Sequence, residues 1–140
     1  GIRESRRFSG KYVMNISDLR EARRFPDVVV HKAQFVVDIH NPVGGGQANG
    51  IAEYVDAYDI PWRSLVPQKM ENLILAGRCI SGTHEAMASY RVMAIAMAIG
   101  EAAGIGAALA IDHNVTPENL DVKYIQKALM DKGAVLFDEK

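Results

Sequence analysis

Residues 72–93 read NLILAGRCISGTHEAMASYRVM, and the reading of this stretch decides the fold. A short apolar run over residues 72–76 has the character of a strand and stops on Gly77. After a polar stretch, residues 86–111 are helix formers, rich in alanine and free of proline. The unit is therefore read as strand, glycine, loop and helix. A glycine at a strand end lets a ligand approach the backbone. A helix start near Ser89, Tyr90 and Arg91 offers unpaired N–H groups with partial positive charge, and Arg91 adds a full one. Such a unit suits an electron-rich or anionic ligand edge, but any α/β binding site can share it.

Along the long helix, Ala96, Gly100, Ala103, Ala107 and Ala110 fall on one stripe. The stripe predicts close packing on a sheet or a neighbouring helix. A membrane span is the rival, but Glu101 divides the run into uncharged pieces (92–100 and 102–111), each well short of the roughly 20 residues a bilayer requires. Gly100 and Gly104 then mark soluble packing rather than membrane dimerisation. Past the helix, Asp121 caps an amphipathic helix through Lys132, with Gly133 as its stop.

Upstream, the chain reads as strands around one short helix. Residues 2–7 and 11–14 flank a turn at Ser9 and Gly10. Ser17 is the expected cap of a helix over residues 18–24, and Pro26 ends it. Residues 35–39 and 54–60 are expected strands. Between them PVGGGQANG, residues 42–50, lacks both a Gly-Lys-Ser/Thr ending and a G-x-G-x-x-G pattern, so it reads as a plain loop. Pro61 and Pro67 hold Trp62, Arg63, Ser64 and Leu65 in an extended segment.

Composition limits the function classes. At 140 residues the chain can bury a sizeable core, and its charged fraction of 24% beside a 49% hydrophobic fraction argues against disorder. A net charge of −1 gives no overall field for nucleic acid or anionic lipid. The single cysteine, Cys79, excludes an internal disulfide, and no Cys/His spacing suggests a metal site. The opening GIRESRRF is neither a signal peptide nor a methionine start, so the chain is expected to begin within a longer protein. A cytoplasmic location is the expectation.

Taken in order, GIRESRRFSGKYVMNISDL, FVVDIH, IPWRSLVP, NLILAGRCISGTHEAMASYRVM, AIGEAAGIGAALA and the DVKYIQKALMDKGAVL tail resemble the C-terminal part of the FAD-dependent oxidoreductase family, related to the glutathione reductase and fumarate reductase flavoproteins. The resemblance implies an α/β fragment: part of a mixed sheet, plus the last strand and long helix of an FAD-binding Rossmann-like domain. It implies a substrate-side β-rich segment over residues 1–70, a strand–helix unit over 71–112 and a helical tail over 113–140. FAD is the implied cofactor. Ala76, Gly77, Arg78 and Cys79 would follow the ribityl and pyrophosphate region, and Arg91, Val92 and Met93 would meet the pyrimidine end of the flavin. Many relatives carry an acidic residue where this chain has Arg78. The implied partners are a small organic substrate and the N-terminal segment of the same protein, which would supply the dinucleotide fingerprint; self-association is left open, and neither nucleic acid nor membrane is expected.

His40, Arg63 and His84 are the catalytic candidates. His40 follows Asp38 at a strand end, and His84 with Glu85 lies between the cofactor strand and helix, so either histidine could move a proton. Arg63 could fork onto a substrate carboxylate or brace its loop. Trp62 and Cys79 are expected in the core, Arg6 and Arg7 solvated or ion-paired, and His31 and His113 at the surface. Two rivals stand beside the flavoprotein: a non-catalytic structural or assembly domain, and a hydrolase using Ser81 or Ser89 with His40 or His84. The hydrolase lacks a G-x-S-x-G elbow.

Overall fold

The computed structural model describes residues 4, 6–39 and 52–138. His40 and the loop 42–50 lie outside the described residues, as do residues 2, 3 and 5 of the first expected strand. Helix α1 (Ile16–Arg20) is capped by Asn15 rather than Ser17. The Asn15 amide oxygen accepts from the N–H groups of Ser17 and Asp18 at 2.9 and 3.3 Å, and the Asp18 carboxylate accepts from the Asn15 N–H at 2.9 Å. The helix is also shorter than expected, because Ala22 turns left-handed at φ 47° just beyond it. Asp18 is fully buried and also binds the Tyr12 hydroxyl at 2.7 Å and Arg23 at 2.8 Å.

Strands β1 (Val28–Ala33) and β2 (Tyr58–Pro61) pair antiparallel, with Val28 opposite Pro61, Val30 opposite Ile60 and Ala33 opposite Tyr58. Each step of this register takes one more residue on β1 than on β2, and Lys32, at φ 52°, lies in the second irregularity. β1 is not among the expected strands, and β2 realises only the end of the expected strand 54–60. The expected strands 11–14 and 35–39 are reduced to single bridges, Met14 with Gly82 and Val37 with Glu53, and a further bridge joins Gly10 to Pro67. Residues 72–76, expected to be the last strand of a Rossmann-like sheet, form no strand. Their chain is held to the preceding loop by a 2.7 Å bond from the Leu75 N–H to the Leu65 carbonyl. A strand requires a partner edge, and no parallel sheet stands beside this run among the described residues. The fold is mixed α/β with a small antiparallel sheet and helices.

The predicted single helix over residues 86–111 is two helices, α2 (His84–Tyr90) and α3 (Met93–Asp112). Arg91 closes α2 with its N–H on the Met87 carbonyl, and Val92 is extended at φ −72°, ψ 154°. Helix α4 (Val122–Asp131) follows the sequence closely. Asp121 caps it through the Lys123 N–H at 3.0 Å, and Gly133 leaves it at φ 95°.

Helix α3 packs on β1 and α4 through Ile95, Ile99, Ala102, Ala103, Gly106 and Ala110. Gly106 is the point of closest approach. A Cβ there would lie 2.3 Å from the Trp62 ring, which is itself buried and anchored by Nε1 on the Pro117 carbonyl at 3.2 Å. The small-residue stripe is only half covered. Ala103 and Ala110 are buried, but Gly100, Gly104 and Ala107 are exposed, and a Cβ at either glycine would meet nothing among the described residues. By length and composition α3 could cross a membrane, with a mean hydropathy of 1.9; here one of its faces belongs to the core. Gly106→Ala should therefore lower stability by about 1–3 kcal/mol through overpacking. Gly104→Ala should raise it by about 0.5–1 kcal/mol through helix propensity. Chemical denaturation of the two variants checks both signs.

Candidate functional site

The junction between α2 and α3 carries one cluster of polar contacts. Ser89 is buried and donates to the Phe35 carbonyl at 2.6 Å. With that proton committed, the Tyr58 phenol donates to Ser89 Oγ at 2.8 Å. Arg91 donates to the Asp38 carbonyl at 2.8 Å, to its carboxylate at 3.1 Å, and through Nε to the Ala88 carbonyl at 3.3 Å. These contacts clamp residues 35–38 against the end of α2. Charge-assisted bonds of this kind are stronger than neutral ones, and here both partners are largely buried. Burial pushes the Tyr58 phenol up to about 12. Burial also raises the neighbouring Tyr90 phenol.

The residues expected at a cofactor lie along α3 and its start. Gly77 adopts φ 67° and opens a 3₁₀ turn, Gly77–Cys79, that packs on α3. Arg78 is exposed, and Cys79, expected in the core, is half-buried with its thiol on the Ala76 carbonyl at 3.2 Å. Val92 precedes α3 without a side-chain cap, no acidic residue occupies the first turn, and Met93 is 82% exposed. The start of α3 thus keeps the donor character of a helix N-terminus, with Arg91 immediately before it. Ala76 instead borders an open groove of about 880 Å³ whose floor is Gly100, Ala103, Gly104 and Ala107. Asn72 and Ile74 wall it on one side, and residues 114–117 close one end. Among the described residues no charged one lines this groove.

The catalytic candidates among the described residues, His84 and Arg63, lie in separate clusters. His84 is exposed at the start of α2, with Nδ1 on the Glu4 carboxylate, which also pairs with Arg7. Arg63 forks onto Asp27, with Nε at 2.8 Å and a terminal nitrogen at 3.0 Å, and covers the Tyr12 ring at 5.3 Å. The Asp27 hydrogen bond raises the affinity of that guanidinium for its proton. Trp62 is in the core, and His113 stacks on Tyr124 at the surface. His31 departs from expectation, since its ring is buried against Asp59 at 2.8 Å. Among the described residues no group of three or more His, Cys, Asp or Glu could hold a metal ion.

Asp38, Asp27 and Ser89 are the partners the sequence reading missed. Asp38 was visible as a lone charge in the apolar run 35–39, but its partner Arg91 is 53 residues away. Two variants test this construction. Arg91→Ala should cost about 1–3 kcal/mol in denaturant by leaving Asp38 without its guanidinium. The raised Tyr58 phenol makes the folded state bind its proton more tightly than the unfolded state, whose pKa is near 10. Its stabilising contribution is complete below about pH 10 and falls away as pH rises towards 12. Tyr58→Phe should therefore flatten part of the alkaline loss of stability between those values, as measured by denaturation at fixed temperature.

Comparison with known proteins adds one match. The family described as FAD dependent oxidoreductase matches residues 1–129. No curated protein and no solved structure matches the chain. With residues 1–129 of the 140 matched, the chain belongs to the FAD-dependent oxidoreductase family.

Proposed function

We propose that this chain is the flavin-facing part of an oxidoreductase that passes electrons, as hydride, between an organic substrate and FAD. The carrying observation is the start of α3: an uncapped helix N-terminus free of acidic residues, preceded by an arginine fixed by three acceptors. That donor set fits an electron-rich or anionic ring edge. In this reading Arg91, Val92 and Met93 hold the pyrimidine end of FAD, and residues 76–79 run beside its ribityl and pyrophosphate portion. The glutathione reductase and fumarate reductase flavoproteins are the proposed wider kin, on the resemblance of the motifs.

When bound, FAD supplies the two-electron chemistry, and the protein supplies orientation and proton handling. Arg91, kept in place by Asp38, stabilises negative charge at the ring edge. His84 engages Glu4 through Nδ1, which leaves Nε2 as the nitrogen that holds or moves a proton. His40, outside the described residues, is the second proposed proton carrier. Arg63 is proposed as a positioning residue, because its fork is already occupied by Asp27.

The uncharged groove along α3 does not suit a pyrophosphate, but it does suit an apolar protein layer. We place there a nucleotide-binding unit from elsewhere in the same protein, the Rossmann-like sheet of which 71–112 would be the last strand–helix piece. Residues 1–70 then form the substrate side and 113–140 a helical tail. A cytoplasmic location, the absence of nucleic-acid and membrane partners, and a small organic substrate complete the reading. An assembly domain without catalysis is the second reading, and the same uncovered α3 face favours it.

Full-length protein should purify yellow and bleach with dithionite; colourless protein that takes up no added FAD would overturn the flavin reading. Arg91→Ala should weaken flavin retention about 10- to 100-fold. The 140-residue chain alone should bind FAD more weakly than about micromolar by calorimetry.

A further inference from the structure

His31 lies outside the proposed flavin site, and its surroundings have the form of a device. Its side chain is 3% exposed on β1. Nδ1 stands 2.8 Å from Asp59 Oδ1, and Nε2 stands 3.5 Å from Asp138 Oδ1 without forming a hydrogen bond. Asp59 is 1% exposed and accepts from Arg24 at 3.0 Å, the Lys32 N–H at 3.3 Å and the Phe25 N–H at 3.4 Å. A carboxylate so supplied with donors is an acceptor only. The His31 Nδ1 therefore carries a proton in both of its charge states, and the state of the ring is decided at Nε2.

The other carboxylate belongs to the segment that follows α4. Its chain is tied by the Ala134 N–H to the Leu129 carbonyl at 3.0 Å and by buried Leu136, whereas Val135 and Phe137 are exposed. Asp138 meets Lys32 and lies 3.9 Å from Arg24. The Lys32 hydrogen bond holds its carboxyl below the usual range, so Asp138 stays ionised through neutral pH. The charged groups facing His31 are thus Asp59 from β2, Arg24 from the turn after α1, Lys32 from β1 and Asp138 from the strap.

We propose that residues 134–138 are a proton-dependent strap, seated when His31 is protonated and loosened when it is neutral. The imidazolium gives Nε2–H to Asp138 and bridges two carboxylates. The neutral ring, its one proton fixed on Asp59, turns a lone pair toward Asp138, and acceptor faces acceptor. Lys32 and Arg24 hold the carboxylate from the solvent side in both states, so His31 modulates the seat rather than creating it. Loosening the strap uncovers Leu136 and the His31 ring that faces Asp138.

The test is an NMR titration of the protein from pH 5 to 8, following the His31 ring, the Leu136 methyls and the Phe137 ring. The strap signals should move with the His31 midpoint, and the released population should rise about two- to fivefold across it, the scale of a half-exposed charge pair. Asp138→Asn is a surface change that should fold normally. Its amide can donate to the neutral Nε2, so it should flatten or reverse the dependence. His31→Gln should abolish it. Strap signals that ignore the His31 midpoint would overturn the proposal, as would an unchanged dependence in Asp138→Asn or a His31 that does not titrate in this range.

Discussion

The contact between Trp62 and Gly106 sets the orientation of everything around α3. The helix is apolar on nearly every side, so its own pattern does not say which face is inside. A notch does. The indole fits only where a side chain is missing, and its N–H is fixed on Pro117 beyond the helix end. Once that face is committed, Ile95, Ile99 and Ala102 fall on the core, and Met97 and Ile111 are turned out at 74% and 80% exposure. The open groove beside Ala76 follows from this single choice. A globular helix that is hydrophobic all round is ordinarily buried all round. Here one half has its burial within the chain.

A second layer of order comes from carboxylates that each gather contacts from distant parts of the chain, two of them (Asp18 and Asp59) buried and Asp38 half-buried. Asp18 ties the cap of α1 to Tyr12 and Arg23; Asp59 ties β2 to Arg24, Phe25 and His31; Asp38 ties an extended segment to the α2–α3 junction. Breaking one side of such a pair leaves a charge without compensation, which costs more than the pair itself contributes. These carboxylates do for irregular chain what ladders do for a sheet. With β1 and β2 the only named strands among the described residues, much of the backbone depends on them.

The sequence made local features legible. The α4 helix with its Asp121 cap and Gly133 stop, the apolar length of α3, the break at Gly77 and the core position of Trp62 were all readable from neighbours within a few residues. The true cap of α1 was readable too, because Asn15 stands three residues before Asp18, as a capping box requires. Features set by distant partners were not legible. Residues 86–111 are good helix formers throughout, and the break at Arg91 and Val92 coincides with a side chain drawn to Asp38. His31 looked like a surface residue because Asp59 is 28 positions away. The run 72–76 had strand character but no neighbouring edge. At the candidate site, the glycine and arginine were readable, and the clamp that holds the arginine was not.

The glycines of α3 also bear on how this helix can drift over evolutionary time. Gly106 is held by an indole inside the same chain, so any exchange there must be answered at Trp62, and the two positions should change together or not at all. Gly100 and Gly104 answer to nothing among the described residues. If lineages nevertheless keep them small, the pressure comes from a neighbour beyond those residues. The variation at those two positions is thus a record, written in other genomes, of whether the open face is ever covered.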